Sequence, residues 1–237
     1  MQEASYASMD KVANAPTAEQ AVFYRKTYLT AGFSFLAWMI AVFGLFQTGI
    51  AYSLLGAMGN VSWLLVLGIF MGASYLGGKL TFAEEKEKQY LGLGIYILAY
   101  ALIFTPLLSL VVYYSGSLNN AMDNILIPAF IATATIFAAL TVTVFMTRTD
   151  FSFLRSTVVF GSFIALGAIV IFTLTGAAVG TWFAIGMIVL MSAAILYETH
   201  QIKEKFNTNQ HIGAGAMLFA SFMTLLWYVI NLFMRRD

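Results

Sequence analysis

Cysteine is absent from the 237-residue chain, and histidine occurs only twice. Without cysteine the chain can form no disulfide, no thiolate nucleophile and no cysteine-ligated metal site. The histidines, His200 and His211, are too few for a histidine-rich metal centre. We therefore expect no bound metal, and no motif in the sequence predicts any other cofactor.

Charge is also scarce. Charged residues make up 10% of the chain and hydrophobic residues 60%, and the mean hydropathy is +0.83. A soluble domain has about 25% charged residues, so this composition predicts an integral membrane protein with the lipid bilayer as its main partner. The net charge is only +1. No broad basic surface is predicted, which excludes nucleic acid as a partner.

Signatures of enzymes are missing as well. The sequence has no HExxH motif, no GxSxG motif, no phosphate-binding loop and no pair of aspartates within an apolar segment. Neither histidine lies inside a predicted span, so an intramembrane serine would have no base. We expect that the protein is not an enzyme.

Long apolar segments are abundant. A bilayer core about 30 Å thick requires roughly 20 apolar residues per helix, and in lipid the backbone must satisfy its own hydrogen bonds. The sequence predicts an all-α membrane protein with seven transmembrane helices, in one domain over residues 25–237 after a polar tail over residues 1–24. The predicted spans are 28–50, 62–78, 91–114, 125–146, 156–175, 177–197 and 212–234.

The basic residues predict the orientation. With seven spans, ten Lys and Arg residues fall on the side of the N-terminus, and only Arg235 and Arg236 fall on the other side. The positive-inside rule then predicts a cytoplasmic N-terminus and an outside C-terminus. A seventh segment that re-enters would place all twelve on one side and leave six full spans. Short loops and the lack of cysteine favour a bacterial inner membrane.

Polar residues near the last two spans are the candidate site. Glu198 follows the stretch 156–197, which has no Asp, Glu, Lys, Arg or His. An intramembrane carboxylate is costly and marks a functional site, but Glu198 could instead be the wet end of the sixth helix. On the seventh helix, offsets of 3, 7 and 10 predict a polar stripe that lines a pathway or bonds to neighbouring helices. Its members are Ser221, Thr224, Tyr228 and Asn231.

Two further patterns concern packing. Asp150 precedes the fifth span and suits its N-cap, because its carboxylate can accept orphan backbone N–H groups. Gly68 and Gly72 form a GxxxG pair on the second span, which predicts close packing against another helix.

Three stretches resemble the Bax inhibitor-1/YccA-like family of multi-pass membrane proteins. They are "TRTDFSFLR" at 147–155, "LYETHQI" at 196–202 and "LFASFMTLLWYVINLFMRR" at 218–236. Their order and spacing match the family, as do the seven spans and the short loops. The resemblance covers nearly all of residues 25–237.

The resemblance implies a fold in which six helices surround the last one, and a proton-sensitive cation leak, chiefly for calcium. In that family picture two carboxylates, one ending the sixth helix and one on the seventh, share a proton and close the pore, and a basic residue on the second helix latches onto them. Glu198 occupies the first carboxylate position, Ser221 occupies the second, where the family usually has Asp, and Lys79 is the nearest candidate for the latch.

Ser221 changes what this gate can do. Without a second carboxylate the like-charge repulsion of the pair is lost, so we expect a weaker or shifted pH dependence. Calcium prefers six to eight oxygen ligands, so Glu198 with Ser221 would form only a weak calcium site. The alternative function is that of a membrane interaction protein that modulates a membrane protease or a stress or cell-death partner, with contacts through the N-terminal tail.

Overall fold

The structure is a computed structural model that describes residues 11–57, 61–177 and 180–234. Arg235 and Arg236, and the first ten residues of the predicted tail, lie outside this range. Throughout the described ranges the chain is helical, with one isolated β-bridge and no strand. Within these ranges seven helices are long and apolar enough to cross a membrane. The prediction of an all-α, multi-pass membrane protein is therefore confirmed.

Eight α-helices of eight or more residues make up most of the part of the chain that the structure describes. Their bounds are α1 Thr17–Gln47, α2 Ile50–Ala57, α3 Val61–Thr81, α4 Lys86–Ser115, α5 Ile127–Met146, α6 Leu154–Thr175, α7 Thr181–Glu204 and α8 His211–Met234. A helical turn and a π-helical turn precede α5 and complete the span Leu118–Met146. Short 3₁₀ turns cover Val12–Asn14 and Phe151–Phe153. All the long helices are spans, and α2 is a short connector.

One end of the bundle carries most of the described basic side chains. The N-terminal 3₁₀ turn and the loops 82–85, 147–150 and 205–210 lie there. We call this the basic end, and the opposite end the far end. The cations at or next to the loops of the basic end are Lys11, Lys79, Lys86, Lys88, Arg148, Arg155, Lys203 and Lys205.

Two helix ends differ from the sequence prediction. The helix α1 begins at Thr17 and α7 continues to Glu204, whereas the apolar segments suggest 28 and 197. Hydropathy marks where lipid contact stops, and Glu, Lys and Gln are strong helix formers that extend a helix beyond that point. Glu198 therefore lies inside α7, about 9 Å from its last residue.

The centre of the bundle is a pair of helices. The helix α8 packs against α1, α7, α5, α4 and α3, while α6 packs mainly on α7 and α3. The buried share of the apolar window is 61% for α4 and 56% for α8, against 6% for α6. The last helix is thus central, as the resemblance implies, but it shares the centre with α4. Lipid-facing side chains on α6 include Phe160, Phe163 and Ile164.

Glycines set the closest helix contacts, although not at the predicted pair. Gly68 and Gly72 are exposed, and no described atom lies within 4 Å of a Cβ built on either. The predicted packing through this pair is wrong because both glycines point away from α4. On the packed side, a Cβ at Gly77 would lie 2.9 Å from the carbonyl oxygen of Gly92.

Asp150 caps the entry to α6 as predicted. Its Oδ1 accepts a hydrogen bond of 2.8 Å from the backbone N–H of Ser152, within the 3₁₀ turn that leads into the helix. This bond satisfies one of the N–H groups that the start of a helix leaves without a partner.

Candidate functional site

A side-chain hydrogen bond joins the last two helices near the basic end. Ser221 on α8 donates its hydroxyl to Oε2 of Glu198 on α7 at 2.5 Å. Ser221 is buried, and Glu198 is partly buried. The two residues that the sequence predicts as a pair are therefore in direct contact.

The spacing of residues on α7 explains why Glu198 faces its partner. Ile195, Thr199 and Ile202 are all buried, and with Glu198 they stand at offsets that share one helical face. This face packs toward α8. A carboxylate on the buried stripe of an otherwise apolar helix must find a polar partner, and Ser221 supplies it.

Two tyrosines of α4 complete the polar cluster. The hydroxyl of Tyr100 lies 3.2 Å from Oγ1 of Thr224 and donates to the backbone oxygen of Ala220 at 3.3 Å. Tyr96 lies one helical turn nearer the basic end on the same face of α4. Neither tyrosine was predicted from the sequence. Their signal is an i, i+4 pair of phenols on one face of an apolar span.

Aromatic contacts hold Tyr100 in place. Its ring packs edge-on against Phe70 on α3 and Phe219 on α8, with centroid distances of 5.1 and 5.4 Å. It also lies 5.5 Å from the ring of Tyr96. These contacts fix the phenol between α3, α4 and α8, where its hydroxyl meets Thr224 and Ala220.

The polar cluster stops at Tyr100. One turn toward the far end, Phe104 packs edge-on against Trp38 of α1 at 5.2 Å and Trp227 of α8 at 5.1 Å. Phe104 is 1% exposed. The polar cluster of Glu198, Ser221, Thr224 and Tyr100 is therefore bounded on its far-end side by packed aromatic rings.

The rest of the predicted stripe has other roles. Tyr228 packs its ring against Phe183 of α7 at a centroid distance of 6.1 Å. Asn231 donates its side-chain amide to the backbone oxygen of Trp227 on its own helix, at 2.8 Å. The structure thus brings Ser221 and Thr224 into the cluster and leaves Tyr228 and Asn231 outside it.

Lys79 lies apart from the carboxylate. It is exposed at the last turn of α3 and lines a surface groove with Tyr96 and Met217. No ion pair joins Lys79 to Glu198 in the structure, although both residues are described. The groove extends from Lys79 to Tyr96, whose ring lies 5.5 Å from that of Tyr100.

The donor set at the site is small for a divalent ion. Glu198 and Ser221 supply one carboxylate and one hydroxyl, whereas calcium prefers six to eight oxygen atoms. Within the described ranges no three His, Asp or Glu side chains cluster in a way that could hold a metal.

A second contact fixes α7 beside the site. The ring Nε2 of His200 lies 2.9 Å from Oδ1 of Asp150, and Phe151 packs edge-on against the same ring at 6.2 Å. Hydrogen bonds from Ser152, helped by the nearby His200, hold the pKa of the Asp150 carboxyl below its ordinary value. The sequence predicts Asp150 only as a cap, and its contact with His200 was not predicted.

The sequence profile described as "Inhibitor of apoptosis-promoting Bax1" matches residues 20–237 of the chain. The chain belongs to the Bax inhibitor-1/YccA-like family. No curated protein matches the sequence.

The stretches that carry the Bax inhibitor resemblance meet at the basic end. The loop 147–155 contacts the stretch 196–202 through Asp150 and His200. The stretch 196–202 contacts the last helix through Glu198 and Ser221. The residues typical of Bax inhibitor proteins are therefore distant in sequence but form one connected group around the end of α7.

Proposed function

We propose that this Bax inhibitor family protein is a passive, pH-modulated cation leak whose gate is Glu198 with Ser221. The observation that carries the proposal is the hydrogen bond between these side chains, inside a bundle of otherwise apolar spans. Intramembrane carboxylates are rare and are typical of ion and proton pathways. The protein needs no catalysis for such a role.

The gate acts through the charge of one carboxyl group. The ionised form attracts cations into the cluster of hydroxyls from Ser221, Thr224 and Tyr100, and the protonated form does not. Beyond the cluster, the layer of Phe104 and Trp227 is closed. Flux therefore requires that this layer opens, and a change in the contact between α7 and α8 can reach it through Tyr100.

Calcium is among the cations that the proposal includes. A single carboxylate with hydroxyl and carbonyl oxygens binds calcium weakly. Weak binding suits passage rather than storage, because an ion that binds tightly leaves slowly.

We propose that the basic end faces the cytoplasm of a bacterial cell and that the far end faces outward. The excess of Lys and Arg near the basic end supports this orientation. The Glu198 gate would then respond to the pH of the cytoplasm.

The test is cation flux in proteoliposomes that contain purified protein and a trapped fluorescent calcium indicator, measured over a range of pH. We expect Glu198→Gln to abolish the pH dependence of flux. The matched control is Glu204→Gln, which removes a carboxylate from the exposed end of the same helix and should leave the profile intact.

If Glu198→Gln leaves both flux and pH profile unchanged, the proposed gate is wrong. If the wild-type protein carries no flux for calcium, sodium or potassium at any pH, the leak itself is excluded. The role of an interaction protein for a membrane protease or stress partner would then be the remaining hypothesis.

A further inference from the structure

The segment before α1 is docked onto the bundle. Lys11 forms an antiparallel β-bridge with Asn207 in the loop between α7 and α8. The N–H of Val12 donates to the backbone oxygen of Phe206 at 2.9 Å. The start of this segment is thus held by backbone pairing to the loop that joins the two helices of the candidate gate.

Two further hydrogen bonds fix the conformation of this segment. The 3₁₀ turn Val12–Asn14 is closed by a hydrogen bond from the N–H of Ala15 to the oxygen of Val12 at 3.2 Å. Gln20 in the first turn of α1 donates its side-chain amide to the oxygen of Ala15 at 2.9 Å. The turn is therefore fixed at both of its ends.

Val12 itself is fully buried. It is 0% exposed, and it packs in a small apolar cluster separate from the main core. Its neighbour Ala13 is exposed. The other buried members of the cluster are Phe23, Ile202, Ala214 and Leu218.

The position of this cluster relative to the gate is set by two helices. Ile202 follows Glu198 by one turn on α7, which runs toward the basic end. Leu218 precedes Ser221 by nearly one turn on α8, which runs away from it. The Val12 cluster is therefore the next layer, about 4.5–6 Å from the Glu198–Ser221 contact on its basic side.

We propose that residues 11–16 are a strap that covers Glu198 at the basic end of the bundle, and that release of Val12 from its cluster admits water and cations to the gate. The apolar side chain of Val12 is the plug, and the pairing with Phe206 and Asn207 is the attachment. The consequence for cation flux rests on the proposed function, whereas the covering of Glu198 by the strap does not.

The absence of cysteine allows a direct test of closure. Ser221→Cys provides a single reporter thiol beneath the strap, and its reaction with a charged methanethiosulfonate reagent is measured in detergent. Adding Val12→Asp places a carboxylate that cannot remain in the apolar cluster. We expect the labelling rate to rise about tenfold, which corresponds to about 1.4 kcal/mol of lost attachment.

The matched control is Ala13→Asp, which adds the same charge to the exposed neighbour and should leave the labelling rate unchanged. A second reporter, Ser109→Cys, lies in the buried part of α4 nearer the far end and should stay protected. If that reporter also reacts, Val12→Asp has unfolded the protein, and the comparison is made with Val12→Ala. Equal labelling of Ser221→Cys with and without the Val12 substitution overturns the strap.

A crosslink tests the effect on flux. Residues paired in an antiparallel bridge have Cα atoms roughly 4.5–5.5 Å apart, which suits a disulfide. We therefore expect Lys11→Cys combined with Asn207→Cys to lower cation flux when oxidised and to recover it on reduction.

The two assays separate the two hypotheses. Increased labelling of Ser221→Cys with Val12→Asp, but no flux in any variant, supports the strap and contradicts the cation leak. The opposite result is also possible. If the wild type carries normal flux, and neither Val12→Asp nor the oxidised crosslink changes the flux or the labelling rate, the leak is supported and the strap is overturned.

Discussion

The carboxylate of Asp150 contacts the ring of His200, with 2.9 Å between Oδ1 and Nε2. Asp150 belongs to the loop before α6 and is largely exposed, whereas His200 lies on α7 and is 8% exposed. The contact joins the cap of one helix to the body of the helix that carries Glu198. It gives the loop 147–150 a role in holding α7 in its observed position.

Replacing Asp150 should change how stability depends on pH. Because the pKa of Asp150 is lowered from 3.8 in the folded protein, its contribution is complete above that value and is lost as the pH falls through the folded pKa. We expect Asp150→Asn to melt at a lower temperature than the wild type at pH 7 and to lose less stability on acidification. Thermal unfolding in detergent from pH 7 to pH 3 measures this. Asp123→Asn, at the exposed start of the α5 span, should keep the wild-type profile.

Removing the Ser221 hydroxyl should destabilise the bundle. Ser221→Ala leaves the partly buried Glu198 carboxylate without the side-chain donor that it has among the described residues, which costs about 1–3 kcal/mol. The loss is measured by chemical or thermal unfolding at neutral pH. Ser192→Ala is the control, because that hydroxyl bonds only to the backbone of its own helix. Equal stability of the two variants would contradict the importance of the contact.

The phenol of Tyr100 should contribute through its hydroxyl as well as its ring. Tyr100→Phe keeps the contacts with Phe70 and Phe219 but removes the bonds to Thr224 and Ala220. We expect a loss of about 1 kcal/mol of stability and an altered pH profile of cation flux. An unchanged pH profile would mean that Tyr100 supports the packing alone.

The contact between α3 and α4 should depend on Gly92. A Cβ there would lie 2.6 Å from the Cβ of Leu80 and 2.7 Å from the backbone oxygen of Gly77, so Gly92→Ala should cost about 1–3 kcal/mol. At Gly94 no described atom lies within 4 Å of such a Cβ, and Gly94→Ala should stabilise the helix by up to about 1 kcal/mol. The midpoints of thermal unfolding of the two variants should move in opposite directions.

Lys79 should have little influence on the gate in the observed conformation. It is exposed and makes no ion pair with Glu198 in the structure, so we expect Lys79→Gln to leave the pH profile of flux unchanged. A latch that acts in another conformation would instead shift the profile. Measuring Lys79→Gln beside Glu198→Gln in the same vesicles distinguishes these cases.

Several residues of the site could be predicted from the sequence, each for a physical reason. Glu198 ends a long stretch without charge, and a carboxylate in that place is conspicuous. Asp150 stands at a helix start, where a capping residue has a local signature. The pairing of Glu198 with Ser221 came from the family resemblance rather than from the residues themselves, and the structure places them in contact.

Other features required the fold. The involvement of Tyr100 depends on which helix lies beside α8, and the burial of Val12 depends on where the loop 205–210 returns. For Gly68 and Gly72 the sequence motif predicts a close helix contact that the structure does not have, because α3 is rotated so that both glycines face outward.

The sequence by itself determined that this is a multi-pass helical membrane protein of the Bax inhibitor-1/YccA-like family, because hydropathy and motif order are properties of the chain alone. The tertiary structure decided which faces meet: that Glu198 lies within α7 against Ser221, that Tyr100 contacts Thr224, and that Val12 packs with Ile202 and Leu218. The physical reason is that lipid solvates every apolar helix face almost equally well. Which faces pack together therefore depends on shape and hydrogen bonding between distant residues, which linear patterns do not record.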